Sequence, residues 1–503
     1  MIAWQQSNSN TSLTRQLADI SGDLIHLSPE IAIVATLLLL LAFDLIFKNK
    51  KEVGLAAIGF SGLFAALAIL VYSWNAEPEG EVVMNGFLRY DQLAIFFKIL
   101  FAIGALSGLL IASHCKKKSL FRSGESMVIL MGLVLGAFLM SSANNLLILY
   151  LSVETVSICS YLLTGLLKGK KRAEASLKYL LFGAVSSAVM LYGISWLYGF
   201  TGSLYFANPA FVEALAGVAP LPLGIGMVMF LGGLIFKLGA VPFHVWSPDV
   251  YEAAPTSIVA IFSALPKLAG LGLLFRVTQA LPTETFDWQL VLGVVAIASM
   301  TFGNFSALWQ KDVKRLMAYS SIAHAGFLLV GLLAYSESGK VAMLFYACIY
   351  LVMNAAAFLL IKLVERKTGS SHIDAYRGLG NRLPYLGVLF VIVMIALTGL
   401  PPTVGFNAKL YVFSAIWESG QALGKTVLFW VFLFGLLNTA VALFYYLKVP
   451  YFMFFKPAEA DGEVMKMTWS QKLWGTILVL PLLLWFFQSN WLMEALNNIN
   501  FVF

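Results

Sequence analysis

The sequence predicts an all-α polytopic membrane protein of about fourteen transmembrane helices. Three observations carry this: 60% of the 503 residues are hydrophobic, only 33 are basic and 26 acidic, and long apolar runs recur along the whole chain. Soluble domains are roughly half apolar and about a quarter charged, so a water-soluble globule is excluded. A hydrocarbon core about 30 Å thick takes about 20 helical residues to cross, so fourteen spans use roughly 280 residues and leave short loops. The mean hydropathy of +0.83 agrees, and residues 1–503 are read as one membrane domain.

The first 29 residues are polar, with Arg15 as their only basic residue. They lack the short apolar core and small-residue cleavage site of a leader, so the first span is expected to direct insertion itself. N-terminal helices follow near 30–47, 54–74 and 92–112. The next five runs, near 125–144, 145–167, 175–199, 221–246 and 256–278, form one expected unit over residues 125–278. Runs near 287–308, 316–336, 340–364, 385–417 and 425–448 form a second unit over 287–448, and a final span covers 471–489. Apolar runs of this length are the primary signal for spans.

Two of these runs are visibly interrupted. From Pro384 to about Trp417 the chain stays apolar for longer than a bilayer needs, with Gly399, Pro401, Pro402 and Gly405 in the middle, which predicts two half-helices joined by an unwound segment. The seventh run breaks similarly at Gly239 and Pro242, and the eighth carries Pro266 immediately before Lys267. Broken helices survive at membrane depth where protein or a water-filled cavity satisfies the freed backbone groups. Breaks in helices 7 and 12, five spans apart, predict a duplicated five-helix unit, inverted because the number of helices per copy is odd.

Basic residues fall on alternate loops: Lys48, Lys50 and Lys51; Lys116, Lys117, Lys118 and Arg122; Lys168, Lys170, Lys171 and Arg172; Lys311, Lys314 and Arg315; Arg366, Lys367, Arg377 and Arg382; Lys448, Lys456 and Lys466. These loops are expected to face the cytoplasm across the inner (plasma) membrane. The loop of Glu77, Glu79 and Glu81 and the stretch from Phe200 to Pro220 then lie outside, with both termini. The same pattern accounts for the net charge of +7, since cations beside span ends meet anionic lipid. No nucleic-acid motif accompanies them, and no nucleic-acid partner is expected. Cys115, Cys159 and Cys348 lie far apart without CxxC or Cys/His spacing, so neither an iron–sulfur cluster nor a metal site is expected in this chain.

Ionisable groups inside spans are the informative residues, because a charge at the bilayer centre costs at least ~3 kcal/mol on insertion scales. Glu154 lies in the fifth span, Lys237 five residues before Pro242, Lys267 after Pro266, His324 mid-span within Ser320-Ser321-Ile322-Ala323, and Lys409 seven residues after Pro402. One glutamate cannot neutralise three lysines, so a chain of amines able to change protonation is the expectation, against a competing reading of static interhelical pairs. Two unit charges about 4 Å apart attract by about 4 kcal/mol at an effective dielectric near 20. Bringing Glu154 to Lys237 therefore keeps the lysine charged and separating them favours proton release, so the pair can act as a valve. Lys178, six residues past the basic loop, sits between a functional and a surface reading. Lys98, close to Asp91, reads as snorkelling, and Asp44 near Lys48, Arg276 and Lys362 read as structural span-end charges.

The stretch Phe236-Lys237-Leu238-Gly239-Ala240-Val241-Pro242-Phe243-His244, continuing through Trp246-Ser247-Pro248-Asp249-Val250-Tyr251 to Ala254-Pro255-Thr256, resembles the antiporter-like subunits of proton-pumping NADH:quinone oxidoreductase, respiratory complex I. Asp249-Val250-Tyr251 and Ala264-Leu265-Pro266-Lys267 resemble the subunit N branch rather than its sister subunits L and M. Leu316 to Phe327, Arg377-Gly378-Leu379-Gly380, and Gly399 to Phe406 with Lys409 also match. Ala254 and Ser257 depart from residues common there, which affects loop shape and leaves the lysines in place.

The resemblance implies fourteen helices in two inverted five-helix repeats and a proton-translocating role from cytoplasm to outside. It implies Glu154 and Lys237 as the switch pair, Lys267 as central relay and Lys409 as the lysine of the second half-channel. His324 and His244 would line the axis, and Lys178 would act as a modulator near the entrance. It further implies that NADH, FMN, iron–sulfur clusters and quinone sit in partner subunits, with no cofactor in this chain. The expected partners are other membrane subunits, including a second antiporter-like subunit and small membrane subunits, and the lipid bilayer. The alternatives are a subunit of a multi-subunit sodium/proton antiporter, or an assembly scaffold without its own proton path.

Overall fold

The computed structural model describes residues 22–47, 52–76, 79–113, 123–281, 284, 286–458 and 466–499. Arg15, Lys48, Lys50, Lys51, Glu77, Cys115, Lys116, Lys117, Lys118 and Arg122 lie outside the described residues.

The described residues are helical nearly throughout. α1 (Ser28–Ile46) and α2 (Glu52–Asn75) lead into an antiparallel hairpin, β1 (Glu79–Val83) and β2 (Leu88–Asp91), whose turn passes through Met84 and Asn85 at positive φ. Then come α3 (Gln92–Ser113), α4 (Gly124–Ser142), α5 (Leu146–Gly165), α6 (Lys170–Thr201), the short α7 (Pro209–Ala216), α8 (Pro220–Leu238), α9 (Trp246–Ala253) and α10 (Thr256–Ala280). The second half runs through α11 (Trp288–Leu308), α12 (Val313–Leu333), α13 (Glu337–Thr368), α14 (Leu379–Arg382), α15 (Pro384–Thr398), α16 (Val404–Leu423), α17 (Thr426–Phe455), α18 (Trp469–Phe487) and α19 (Ser489–Asn497).

Among the described residues, 13 helices are long and apolar enough to cross a membrane. The expected twelfth span supplies the remaining crossing as α15 and α16, parted at 399–403. The seventh is likewise split into α8 and α9, parted at 239–245. Both anticipated breaks are therefore present. At each, a glycine in the left-handed region ends the half-helix: Gly239 at φ 62° and Gly399 at φ 85°, each N–H returning to carbonyls three and four residues back. Left-handed backbone costs a residue with a Cβ about 1–2 kcal/mol, which is why glycine stands there. Pro266, by contrast, is carried inside a continuous α10.

Helix starts follow from their caps. Asn145, Asp287, Asp312 and Ser336 each accept a backbone N–H in the first turn of α5, α11, α12 and α13, and Thr468 and Gln471 form a reciprocal box at α18.

Burial sorts the helices into an inner group and a sheath. The apolar window of α10 is 100% buried, that of α12 94% and that of α13 89%, against 22–28% for α1, α2, α17 and α18. Lipid tails are as apolar as leucine, so the sheath keeps exposed Leu39, Leu45, Phe444 and Leu484 without penalty. The inner helices are where polar side chains must find protein partners.

The loops segregate by face as their charges suggest. At the basic face Arg172 bonds to Ala253, Lys314 to Ala254, Lys448 to Leu308 and Gln310, and Lys367 to Lys466, all through backbone carbonyls. At the other face Asn144 meets Gly86 and Phe87, Leu146 meets Leu204, and Lys425 meets Asp287 and Gln289. Asp23 accepts from the hairpin turn at Met84, which puts the start of the described chain on that second face.

Candidate functional site

Ending a helix inside the bundle leaves carbonyls without intrahelical donors. At the first break the N–H groups of Gly239 and Ala240 satisfy Ile235 and Phe236, and Val241 donates to Ser299 Oγ of α11 at 2.9 Å. The carbonyl of Leu238, last residue of α8, receives Lys267 Nζ from α10 at 2.8 Å. The same ammonium reaches the Ser321 carbonyl of α12 at 3.1 Å. Lys267 is fully buried, so its charge is held by two carbonyls and by the negative end of the α8 dipole.

The second break repeats this arrangement by a different route. Gly399 returns its N–H to Ile395 and Ala396, and the carbonyl of Thr398, last residue of α15, accepts from Lys409 Nζ at 2.7 Å. Here the lysine comes from α16, the other half of the same broken helix. Its Nζ also lies 4.4 Å above the Phe327 ring, within cation–π range. Each discontinuity thus ends on a buried amine.

Lys237 sits two residues before Gly239, where the first break begins, and is 3% exposed. Its Nζ is hydrogen-bonded to Ser157 Oγ of α5, whose own proton goes to the Val153 carbonyl. Glu154 lies one helical turn before Ser157, so both side chains point from the same face of α5. Glu154 Oε1 is buried with no hydrogen-bond partner, and among the described residues no ion pair joins Glu154 to Lys237, Lys267 or Lys409. The valve pair is apart here, and Ser157 holds the lysine in the glutamate's place.

His324, 2% exposed on α12, has both ring nitrogens occupied: Nδ1 by Tyr346 Oη of α13 at 2.8 Å and Nε2 by Tyr446 Oη of α17 at 3.0 Å. Tyr446 Oη also bonds Ser320 Oγ. Tyr251 Oη reaches Ser321 Oγ at 3.2 Å, and Tyr350 donates to the Ser263 carbonyl at 2.8 Å, close to Pro266. His244 lies in the first break, its ring 4.5 Å from Phe302 and its Nδ1 buried without a hydrogen-bond partner among the described residues. It is apart from the tyrosine–histidine group.

Sequence reasoning passed over Ser157, Tyr346 and Tyr446. The available signal was local: Ser157 stands at i+3 from Glu154, and a tyrosine buried in an apolar span must satisfy its hydroxyl.

Lys178 is placed elsewhere, on the basic face with its side chain 44% exposed. It pairs with Glu174 and with Asp249 of α9, both at 2.9 Å, while Arg315 holds Asp249 at 2.7 Å and Glu252 at 2.9 Å. Burial alone would push the Asp249 carboxyl up, but the hydrogen bonds from Lys178 and Arg315 outweigh it and bring it below the usual carboxylate value. Two cavities flank this latch. One of about 380 Å³ is lined by Lys178, Asp249, Glu252 and Arg315, and one of about 510 Å³ by Arg172, Glu252, Lys314 and Glu365. Both open on the face of the basic loops and are large enough to hold water.

The other in-span charges are statically paired. Arg276 makes a two-pronged contact to Asp91 at 2.8 and 2.5 Å and donates to the Ser141 carbonyl at 2.6 Å. Lys98 does not snorkel: it is 1% exposed and ion-paired with Glu30 of α1 at 2.6 Å, because that carboxylate comes within its reach inside the bundle. Lys362 pairs with Glu365 at 3.1 Å. Among the described residues no group of three or more His, Cys, Asp or Glu side chains is arranged to hold a metal.

Residues 143–435 match the family model described as NADH:quinone oxidoreductase/Mrp antiporter, TM. The chain is 41% identical over 450 residues to NADH-quinone oxidoreductase subunit N 2 of Chloroherpeton thalassium, covering 86% of each. It is 39% identical over 444 residues to NAD(P)H-quinone oxidoreductase subunit 2 of Synechocystis, covering 87% of this chain and 83% of that one. Among solved structures it resembles a chain of respiratory complex I from Thermus thermophilus, with 29% identity and a TM-score of 0.77, over 93% of this chain and 99% of that one. A chain of the Mrp complex from Dietzia shares the fold at 18% identity and a TM-score of 0.79, over 94% and 96%.

Proposed function

Since the chain belongs to the NADH:quinone oxidoreductase/Mrp antiporter family of membrane subunits, on its subunit N branch, we propose that it is a proton-translocating subunit of complex I. In this reading protons pass from the cytoplasm to the outside along Glu154, Lys237, Lys267, His324 and Lys409, driven by redox chemistry in partner subunits that hold NADH, FMN, iron–sulfur clusters and quinone. The basic face is cytoplasmic, the membrane is the plasma membrane, and both termini lie outside. Residues 125–278 and 287–448 are the two inverted units, each with one half-channel. Other membrane subunits, a second antiporter-like one among them, supply the conformational or electrostatic drive.

One observation carries the reading: Lys237, Lys267 and Lys409 are all buried, and among the described residues none has an ion-paired carboxylate. A permanent buried ammonium of that kind is costly, whereas an amine that gains and loses a proton is what a transfer chain requires. The cavities at the basic face supply a wetted approach, and the Lys178–Asp249–Arg315 latch holds α9 beside them, consistent with a modulating role for Lys178.

The test is complementation. Expressed in a strain lacking its own subunit N, the chain should restore NADH-driven proton uptake into inverted membrane vesicles. Restored sodium tolerance without NADH-linked pumping would select the antiporter alternative instead.

A further inference from the structure

The lysines do not touch one another, and beside Lys267 the structure places a set of direct hydrogen bonds in the second half of the molecule. Lys267 Nζ ends on the Ser321 backbone carbonyl; one residue away Ser320 Oγ bonds Tyr446, Tyr446 bonds His324, and His324 bonds Tyr346. Ser320, His324, Tyr346 and Tyr446 are each at most 2% exposed.

A neutral imidazole has one N–H and one lone pair. With a phenol on each nitrogen, one phenol must donate to the ring and the other must accept from it. That is a directional array, and it needs no bulk water between its members. We propose that Tyr446 is a proton-transfer residue, joining the first half-channel to His324 through Ser320; the proposal rests on the translocating role argued above.

The step balances with one water at each end of the array. The O–H bond of Tyr446 breaks as an N–H bond forms at His324 Nε2. The N–H bond at Nδ1 breaks as an O–H bond forms at Tyr346, whose former proton goes to a water beyond it. Ser320 gives its hydroxyl proton to Tyr446 and takes one from a water on the Lys267 side. One proton enters and one leaves, His324 changes tautomer without acquiring charge, and the array resets when the hydroxyls rotate and the ring exchanges its proton back to Nδ1 through water. An uncharged relay suits a ring in this setting, because an imidazolium there would lie buried between the two lysine sites.

Tyr445 borders the same array: it is adjacent and equally buried, its ring is tilted against that of Tyr446 with centroids 4.3 Å apart, and its hydroxyl donates to Asn304 at 2.9 Å while also coming within reach of Tyr446 and Ser320. The control is Tyr385, whose hydroxyl donates to the Lys472 carbonyl at 3.2 Å and takes no part in the His324 group.

The experiment measures protons taken up per NADH oxidised in inverted vesicles holding fully assembled complex. Loss of one proton-transfer group typically costs 100-fold or more, and with water able to substitute in part, Tyr446→Phe should lower that ratio by at least ~10-fold while Tyr385→Phe leaves it near wild type. A structural tyrosine would instead lower the amount of assembled complex and leave protons per NADH unchanged. Should Tyr446→Phe not assemble, Ser320→Ala keeps the phenol, removes its proton source and must lower the same ratio. Wild-type ratios in Tyr446→Phe, or in Ser320→Ala where only that variant assembles, overturn the assignment. Lys237→Ala run alongside separates the two levels: if it also pumps normally, the translocating role itself fails, and if it abolishes pumping while Tyr446→Phe does not, only this relay fails.

Discussion

Separating Arg276 from Asp91 should cost more than any surface charge, and the size follows from their geometry. Two N–H···O contacts at 2.8 and 2.5 Å join side chains that are 3% and 4% exposed. Opposite unit charges about 3 Å apart attract by about 6 kcal/mol at an effective dielectric near 20, and desolvation consumes much of that. Removing one partner leaves the other charge buried, which costs about 3–5 kcal/mol. Arg276→Met leaves Asp91 to the Ala94 N–H at 2.8 Å and to Arg89 at 4.0 Å, so its loss should lie at the low end of that range, and Asp91→Asn strands the Arg276 guanidinium against the Ser141 carbonyl. The double variant Asp91→Asn/Arg276→Met strands neither member of the pair and should recover part of the loss, the remainder reflecting the charge that Arg89 no longer faces. Denaturant unfolding of the detergent-solubilised subunit, run as a double-mutant cycle, reads this directly. Strictly additive single losses, or single losses below about 1 kcal/mol, would refute the idea that this pair is a coupled buried charge unit.

Gly399→Ala should both strain the backbone, at about 1–2 kcal/mol, and displace Lys409, since the added Cβ meets Lys409 Cδ at 2.6 Å. Pumping should therefore fall, whereas Gly424→Ala, left-handed at φ 62° with nothing within 4 Å, should cost stability alone; equal pumping in the two would contradict the placement. Lys98→Met should destabilise by about 3–5 kcal/mol by stranding Glu30, yet complexes that assemble should keep wild-type protons per NADH, which would not hold if Lys98 belonged to the proton path. The Asp249 carboxyl is held below the usual value of about 3.9. Its contribution to stability is thus fully present above that unfolded-state value and is lost as pH falls through the lower folded one. Asp249→Asn should accordingly be less stable than wild type near neutrality and converge on it in acid, as followed by unfolding across a pH series.

The breaks were legible in the sequence because glycine and proline act locally. Gly239 with Pro242, and Gly399 with Pro401 and Pro402, stop a helix wherever they fall, and the lysines beside them announce themselves as charges in apolar runs. Pro266 resembles these locally but behaves differently, since α10 is enclosed on all sides and keeps its helix through the proline. The hairpin 79–91 went unforeseen because its strands are too short to show a period. Partners were hidden for the same reason throughout. Nothing near Lys98 in the chain points to Glu30, nothing near Lys267 points to the carbonyl of Leu238, and Tyr346 and Tyr446 look like ordinary packing in an apolar span until the fold turns their hydroxyls onto His324.

Replacing Lys237 by alanine while verifying complete assembly, and then recording NADH-driven proton uptake, addresses the account at its centre. If protons move by way of the buried amines, uptake should collapse although the complex is intact and peripheral-arm oxidation of NADH by an artificial acceptor persists. Undiminished uptake in that assembled variant would mean the protons travel elsewhere and the subunit serves only as a scaffold.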